Sequence, residues 1–128
     1  MAKATTLDNL LLNAVLRNVA YVSPTAVYAA AMTTAPTAAG GGVEVSGGSY
    51  ARQAVTFGAA ASGSVSNSAA VAFPVATAAQ GTVVGIALYD NGVAGGNLLH
   101  FGPLATAQTI NAGNQLTLPI GNLVVSEA

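Results

Sequence analysis

The chain contains no cysteine and no tryptophan, and its 128 residues include only three Lys+Arg, four Asp+Glu and one histidine. Without cysteine there can be no disulfides, thiol catalysis or thiolate metal site, although the redox compartment stays undecided. Three cations and a net charge of -1 provide no basic field for phosphate, which argues against backbone-driven nucleic-acid binding. The charged fraction is 5%, against about 25% in an ordinary soluble domain. A folded monomer of this size exposes roughly 6,000 Å², or on the order of 900 Å² of surface per charge. Such a surface must consist largely of Ala, Gly, Ser, Thr, Asn and Gln. A small stable protein can stay dispersed on hydroxyls and amides alone, but free proteins normally carry denser mixed charge. The expectation is that other subunits cover much of the surface.

Long apolar runs are also missing. LLLNAVL (10 to 16) is interrupted by Asn13 and lies between Asp8 and Arg17, which makes a poor signal core. The uncharged stretch from Gln53 to Tyr89 is broken throughout by Gly, Ser, Asn, Gln and Pro, so no membrane-spanning helix is expected. The length suits one folding unit, divided into an N-terminal helix or arm (1–23) and a β-sandwich domain (24–128).

In the arm, Thr5-Thr6-Leu7-Asp8 reads as a helix start, with a hydroxyl followed three positions later by a carboxylate. Leu7, Leu10, Leu11, Ala14 and Val15 then recur at helical spacing as one apolar stripe. Arg17 suits the negative end of the helix dipole, and Asn18 with Ser23-Pro24 marks the exit. Beyond Pro24 the chain changes to short runs of period two or fully apolar character. The predicted strands are Thr25–Thr33, Ser49–Phe57, Ser68–Phe73, Thr82–Tyr89, Asn97–Phe101, Ala107–Asn111, Gln115–Leu118 and Asn122–Ser126. Turn chemistry separates them at Ala35-Pro36, Gly40-Gly41-Gly42, Gly47-Gly48, Ser62-Gly63-Ser64, Asp90-Asn91-Gly92, Gly95-Gly96, Ala112-Gly113-Asn114 and Ile120-Gly121. Short strands at this spacing, with 15 Gly and 5 Pro, predict an all-β sandwich or small barrel behind a short N-terminal α-helix.

Reactive groups are too scarce to build a catalytic site. His100 lies in LLHF and reads as a half-buried strand histidine. A triad would need Asp90 or Glu44 to orient it, and Asp90 leads the turn signature Asp-Asn-Gly. Paired carboxylates would require two of Asp8, Glu44, Asp90 and Glu127 to converge. No metal-ligand spacing is present. The glycine-rich GGGVEVSGG lacks the Lys-Ser/Thr ending of a phosphate loop. The expectation is no enzyme, no cofactor, no metal and no small-molecule substrate.

Glu44 and Arg52, the only charges between Arg17 and Asp90, flank Ser46-Gly47-Gly48-Ser49. In a hairpin, a three-residue loop sets Glu44 opposite Arg52, whereas a two- or four-residue loop pairs Glu44 with Ala51 and turns the charges to opposite faces. Sequence alone selects neither register. Val55 and Phe57 read as core-facing, which sends Tyr50 and Arg52 outward. Glu44, Tyr50 and Arg52 are therefore candidate subunit-interface residues, since an exposed aromatic beside an arginine is a common interface anchor. An intrachain bridge pinning the hairpin is the alternative.

Several segments resemble a family of small structural proteins of tailed bacteriophages. They are Pro24-Thr25-Ala26-Val27-Tyr28-Ala29, Thr33-Thr34-Ala35-Pro36 and Glu44-Val45-Ser46-Gly47-Gly48-Ser49-Tyr50-Ala51-Arg52-Gln53. Phe73-Pro74-Val75-Ala76-Thr77, Gly81-Thr82-Val83, Leu88-Tyr89-Asp90, Gly96-Asn97-Leu98-Leu99, and then Gly113, Pro119, Gly121 and Leu123, follow in the same order. The likeness covers roughly Pro24 to Val125. Ala29-Ala30-Ala31 departs from it, since bulkier aliphatics are common there, and this suggests tighter sheet packing. The resemblance implies a non-enzymatic virion protein, described in relatives either as head decoration (cement) or as tail-fibre-like. The expectation drawn from it is an all-β, jelly-roll-like β-sandwich that forms a homotrimeric cement protein on the capsid surface and clamps the major capsid protein by multivalent burial, without nucleic acid or membrane. A tail or baseplate component is the alternative. A carbohydrate-binding module is disfavoured by the 5% aromatic content.

Overall fold

The structure is a computed structural model in which residues 1–93 and 95–126 are described. Among the described residues, eight of ten strands surround two long ones. These are β7 (Gly81–Tyr89), a near-continuous apolar run, and β8 (Leu98–Ile110), paired antiparallel to it. On the far side of β7 lies β2 (Val27–Thr34), and the short β1 (Ala2–Lys3) pairs with β8 at Phe101 and His100. β3 (Val43–Glu44) and β4 (Gln53–Val55) complete a six-stranded sheet. The second layer is two antiparallel ribbons, β5 (Ser64–Ser66) with β10 (Val124–Ser126) and β6 (Val71–Ala72) with β9 (Thr117–Leu118). The expected all-β sandwich is present. It is divided six strands against two pairs, so the likeness to a jelly roll lies in its layering and not in its strand order.

Side-chain alternation builds the core between these layers. Ala29 and Ala31 of β2, Val83, Ile86 and Leu88 of β7, and Leu99 of β8 meet Val71, Phe73, Leu116, Leu118, Leu123 and Val125 of the ribbons. The sheet's other face is covered as well. Ala30, Met32 and Ala87 are buried there with Ala4 and Leu98, and the segment 35–41 folds over beside them, with Pro36 buried and the Thr5 N–H donating to the Ala38 carbonyl at 2.8 Å. Burial on both faces accounts for the run Ala29-Ala30-Ala31, since larger side chains would push the covering segments away.

Between the ribbons Asn67, 1% exposed, takes the place of missing ladder contacts. Its amide nitrogen donates to the Ala69 and Pro119 carbonyls, both at 2.9 Å, and its side-chain oxygen accepts from the Leu123 N–H at 2.9 Å.

The single helix among the described residues, α1 (Thr5–Leu16), starts one residue earlier than a Thr5 cap implies. Ala4 is the cap and provides no side-chain bond; the first amide is instead satisfied by Ala38. Asp8 lies in the first turn, 3.4 Å from the Lys3 ammonium. The exit follows the expectation: Asn18 adopts φ 56° and the Val19 N–H donates back to the Asn13 carbonyl.

Two expected strands, Asn97–Phe101 and Ala107–Asn111, are one continuous β8. Gly102-Pro103 does not interrupt it, because β8 has no further partner on its outer edge beyond Phe101 and an edge strand tolerates proline. A Cβ on Gly85, opposite, would sit 2.7 Å from the Gly102 carbonyl oxygen, so glycine is required for the close approach of β7 and β8. Ser49–Phe57 is extended only over Gln53–Val55, for a reason given below.

Asn67→Ala removes a donor and an acceptor from a site closed to water. It is expected to lower unfolding stability by about 2–4 kcal/mol, as measured by urea denaturation.

Candidate functional site

β3 and β4 do not form a hairpin. Both run antiparallel to β2 along the same edge, Glu44 opposite Met32 and Gln53 opposite Ala29. The chain leaves that edge after Val45, whose N–H still donates to the Ala31 carbonyl, and rejoins it at Gln53. Neither register considered for a hairpin applies, since the turn closes an excursion from one edge and does not join two facing strands. The glycines serve that excursion: Gly47, Gly48 and Ser49 have φ of 75°, 60° and 66° in succession. Only glycine adopts this conformation without cost, and a Cβ on Gly48 would lie 2.9 Å from the Ala78 carbonyl. The Gly48 carbonyl accepts from the Thr77 N–H and from the Gln80 side chain, tying the loop to the segment before β7.

The excursion leaves the Ala31 N–H facing a gap between β3 and β4. The Tyr50 hydroxyl fills it, accepting from Ala31 N at 3.0 Å and donating to Glu44 Oε2 at 2.6 Å. Arg52 grips the same carboxylate with two bonds, Nε to Oε2 at 2.9 Å and Nη2 to Oε1 at 2.8 Å. Its Nη1 donates to the Asn91 carbonyl at 2.9 Å and the Gly95 carbonyl at 3.1 Å, pinning the loop between β7 and β8. The guanidinium lies 4.0 Å from the centre of the Tyr89 ring, a cation–π contact strengthened by desolvation. Tyr50 stacks on Phe73, with centroids 6.0 Å apart. The structure thus brings Glu44, Tyr50 and Arg52 together. Sequence analysis sends Tyr50 and Arg52 outward; instead the Arg52 side chain is only 4% exposed and Tyr50 is half-buried. Their donors serve this chain's own loops, and about a fifth of the Glu44 side chain still reaches solvent.

The electrostatics follow from burial and pairing. Burial works to raise the Glu44 carboxyl, but hydrogen bonds from Arg52 and Tyr50 outweigh it and hold the pKa below the ordinary carboxylate value. The Tyr50 hydroxyl is pushed well up, first by burial and then by the adjacent carboxylate. Hydrogen bonding to Glu44 raises Arg52 despite its desolvation. All three groups are bonded to one another, and together they join β3, the excursion and the loop between β7 and β8.

The remaining candidates are scattered. Asp90 closes its own loop, accepting from the Asn97 N–H at 2.7 Å and its side-chain amide at 3.1 Å. His100 is half-buried on β8 and lines a recess of about 330 Å³ between α1 and the sandwich. The recess is walled mainly by Leu7, Leu11, Tyr21, Phe57 and Leu99, which suits a hydrocarbon side chain and offers little to a polar substrate. Glu127 lies outside the described residues. Among the described residues, no three of His, Asp and Glu converge on a possible metal site, and no helix is long and apolar enough to cross a membrane.

Nothing in the local sequence pattern marks Tyr89, Phe73 or the Asn91 and Gly95 carbonyls as partners of the cluster. Helical spacing also sets Leu10 and Val15 in one apolar stripe with Leu7 and Leu11. In the structure Leu7 is the buried residue of α1, whereas Leu12, Val15 and Leu16 are exposed, followed by Val19 and Val22. The signal was in the sequence: the run Leu10-Leu11-Leu12 places leucine on more of the helix circumference than one sheet contact can cover.

A protein-family model described as podophage GP4 fiber I protein gp80 matches residues 2–126. No curated protein matches the chain.

Because the folded Glu44 pKa lies below its unfolded value, the unfolded chain binds more protons as pH falls through that window. The stability contributed by Glu44 is complete above about pH 4.5 and is lost as pH falls toward the folded pKa. The melting temperature is expected to fall on acidification through this range, and Glu44→Gln is expected to be less stable at pH 7 with a flatter acid limb. Thermal denaturation monitored by circular dichroism between pH 7 and 3 measures both.

Proposed function

The chain belongs to this podophage fibre family, and from that premise we propose that it is a non-enzymatic subunit of a virion fibre or related appendage, built to associate through neutral and apolar surface. A virion structural role is what the family supports in general; the fibre is its more specific form. The observation that carries the reading is the disposition of the ionised groups. Arg52 and Glu44 are joined inside the fold, Lys3 pairs with Asp8, Arg17 donates to Asn13, and Asp90 holds Asn97. Little charge has to be stripped of water when another subunit approaches. Meanwhile the chain exposes 6849 Å², about a tenth more than the ~6,100 Å² scaling for a free monomer of this mass.

Association of this kind gains durability from repetition, since modest contacts made many times become effectively permanent. A homotrimer suits a fibre as well as a decoration protein, and further copies of the chain are the first partners proposed. Contact between the cluster and another chain would pass through the exposed part of Glu44 and the loop held by Arg52, not through the guanidinium itself. A second reading, a cement protein on the capsid surface bound to the major capsid protein, is favoured by the two-layered sandwich of the described residues, in which no strand pattern repeats along an axis as in a fibrous shaft.

Copy number separates the two. Quantitative mass spectrometry of purified virions is expected to find tens of copies or fewer relative to the major capsid protein, as for an appendage. Hundreds of copies would favour cement, and absence from the particle would contradict both.

A further inference from the structure

We propose that a second copy of this chain covers the outer side of α1, packing along Leu12, Val15 and Leu16 of the helix and Val19 of the segment that leaves it. This deepens the reading of the chain as an assembling subunit and rests on it, but it does not depend on where in the virion the subunit sits. α1 has two apolar sides. Leu7, which is buried, and Leu11 and Ala14, which are partly buried, face the sandwich. Leu12, Val15 and Leu16 follow the spacing i, i+3, i+4 on a different side and are 55%, 73% and 73% exposed, and Val19, 47% exposed, follows in the segment that leaves the helix through Asn18. Six of the large apolar side chains left in water, from Leu10 to Val22, fall within 13 consecutive residues.

The area suits a dimeric or higher contact between copies. Without Leu10, which points to the opposite side of the helix, Leu12, Val15 and Leu16 with Val19 and Val22 of the exit segment leave the equivalent of a little over three whole residues uncovered, on the order of 350 Å² of apolar surface per copy. A standard stable interface buries roughly 800 Å² per partner, a little over half of it apolar, or about 450 Å². The patch therefore supplies the larger part of the apolar share of one such interface, with Asn9, Asn13 and Ala20 beside it to contribute the rest. Spacing by threes and fours is what lets one helix set its ridges into the grooves of an identical one.

Charge favours a copy over a foreign partner. The ionised side chains beside Leu12, Val15, Leu16 and Val19 are Asp8, one turn before Leu12, and Arg17, directly after Leu16, and both are engaged within the chain, by Lys3 and Asn13. The surface offers nothing to attract a charged protein and nothing to repel a second copy of a chain with net charge -1.

The test uses the purified full chain, so it is read independently of virion copy number. Sedimentation equilibrium is expected to give an integer multiple of 12.4 kDa at concentrations on the order of 10–100 µM. The triple variant Leu12→Gln, Val15→Gln, Leu16→Gln keeps helix-forming residues and is expected to sediment as a single chain with an unchanged circular dichroism spectrum, a loss of at least 100-fold in self-affinity. Val75→Gln with Val93→Gln, which removes exposed apolar groups elsewhere, is expected to leave the multiple intact. A wild-type monomer at 100 µM would mean that another protein or the shell covers the helix, and would overturn the proposal; so would a triple variant that keeps the multiple. If the triple variant does not fold, Leu16→Cys in this cysteine-free chain decides: oxidative crosslinking between copies supports the pairing, and its absence overturns it.

Discussion

A guanidinium taken out of water must have its donors met, and Arg52 meets them by drawing together three parts of the chain that are far apart in sequence. The two-bond grip on Glu44 fixes where β3 ends, and the bonds to Asn91 and Gly95 fix the loop between β7 and β8. Tyr89 lies beneath the cation. Removing either charge would leave the other buried and poorly solvated, so the pair holds because both partners are present and not because an ion pair as such is strongly favourable. Tyr50 completes the joint by lending its hydroxyl to Ala31, a backbone amide that no strand reaches. A side chain thus takes over the hydrogen bond that a continuous edge strand would have made, and β2 keeps a sealed edge although its neighbour is interrupted by six extra residues.

This internal use of charge has a consequence at the surface. A chain with so few ionised groups could have placed them outside for solubility. Instead, the strongest pair closes a loop inside the fold and most of the others are tied to near neighbours in the chain. What faces outward is hydroxyl, amide, alanine and glycine, together with an apolar helix flank. Such a surface costs little to dehydrate and carries little long-range repulsion, which suits a protein that works by packing against others.

Several elements were legible from local pattern. The run Thr82 to Tyr89 has the length and β-branched content of a buried strand, and Asn18 sits where the helix exit needs a left-handed residue. Glu44 and Arg52 were legible as partners because charges are so scarce, but their geometry was not. It depends on the edge of β2, a non-local feature, so the hairpin assumption failed at the point where the chain uses a side chain in place of backbone. Strands of two or three residues such as Ala2–Lys3, Val43–Glu44 and Ser64–Ser66 are too short to show a period, and they exist because neighbouring edges were available to pair. The helix stripe was read one-sidedly: spacing identified Leu7 and Leu11 correctly, but it could not tell which remaining apolar residues the sandwich would leave uncovered.

The account rests most heavily on Tyr50 standing in for a strand at Ala31. Amide hydrogen exchange followed residue by residue tests this directly. The Ala31 amide is expected to be as protected as that of Ile86 in the sheet centre, opening only with global unfolding, and in Tyr50→Phe that protection should fall by at least tenfold while Ile86 keeps pace with the global stability. An Ala31 amide that exchanges at the rate of an open edge in the unaltered protein, or one whose protection survives loss of the hydroxyl, would contradict the account.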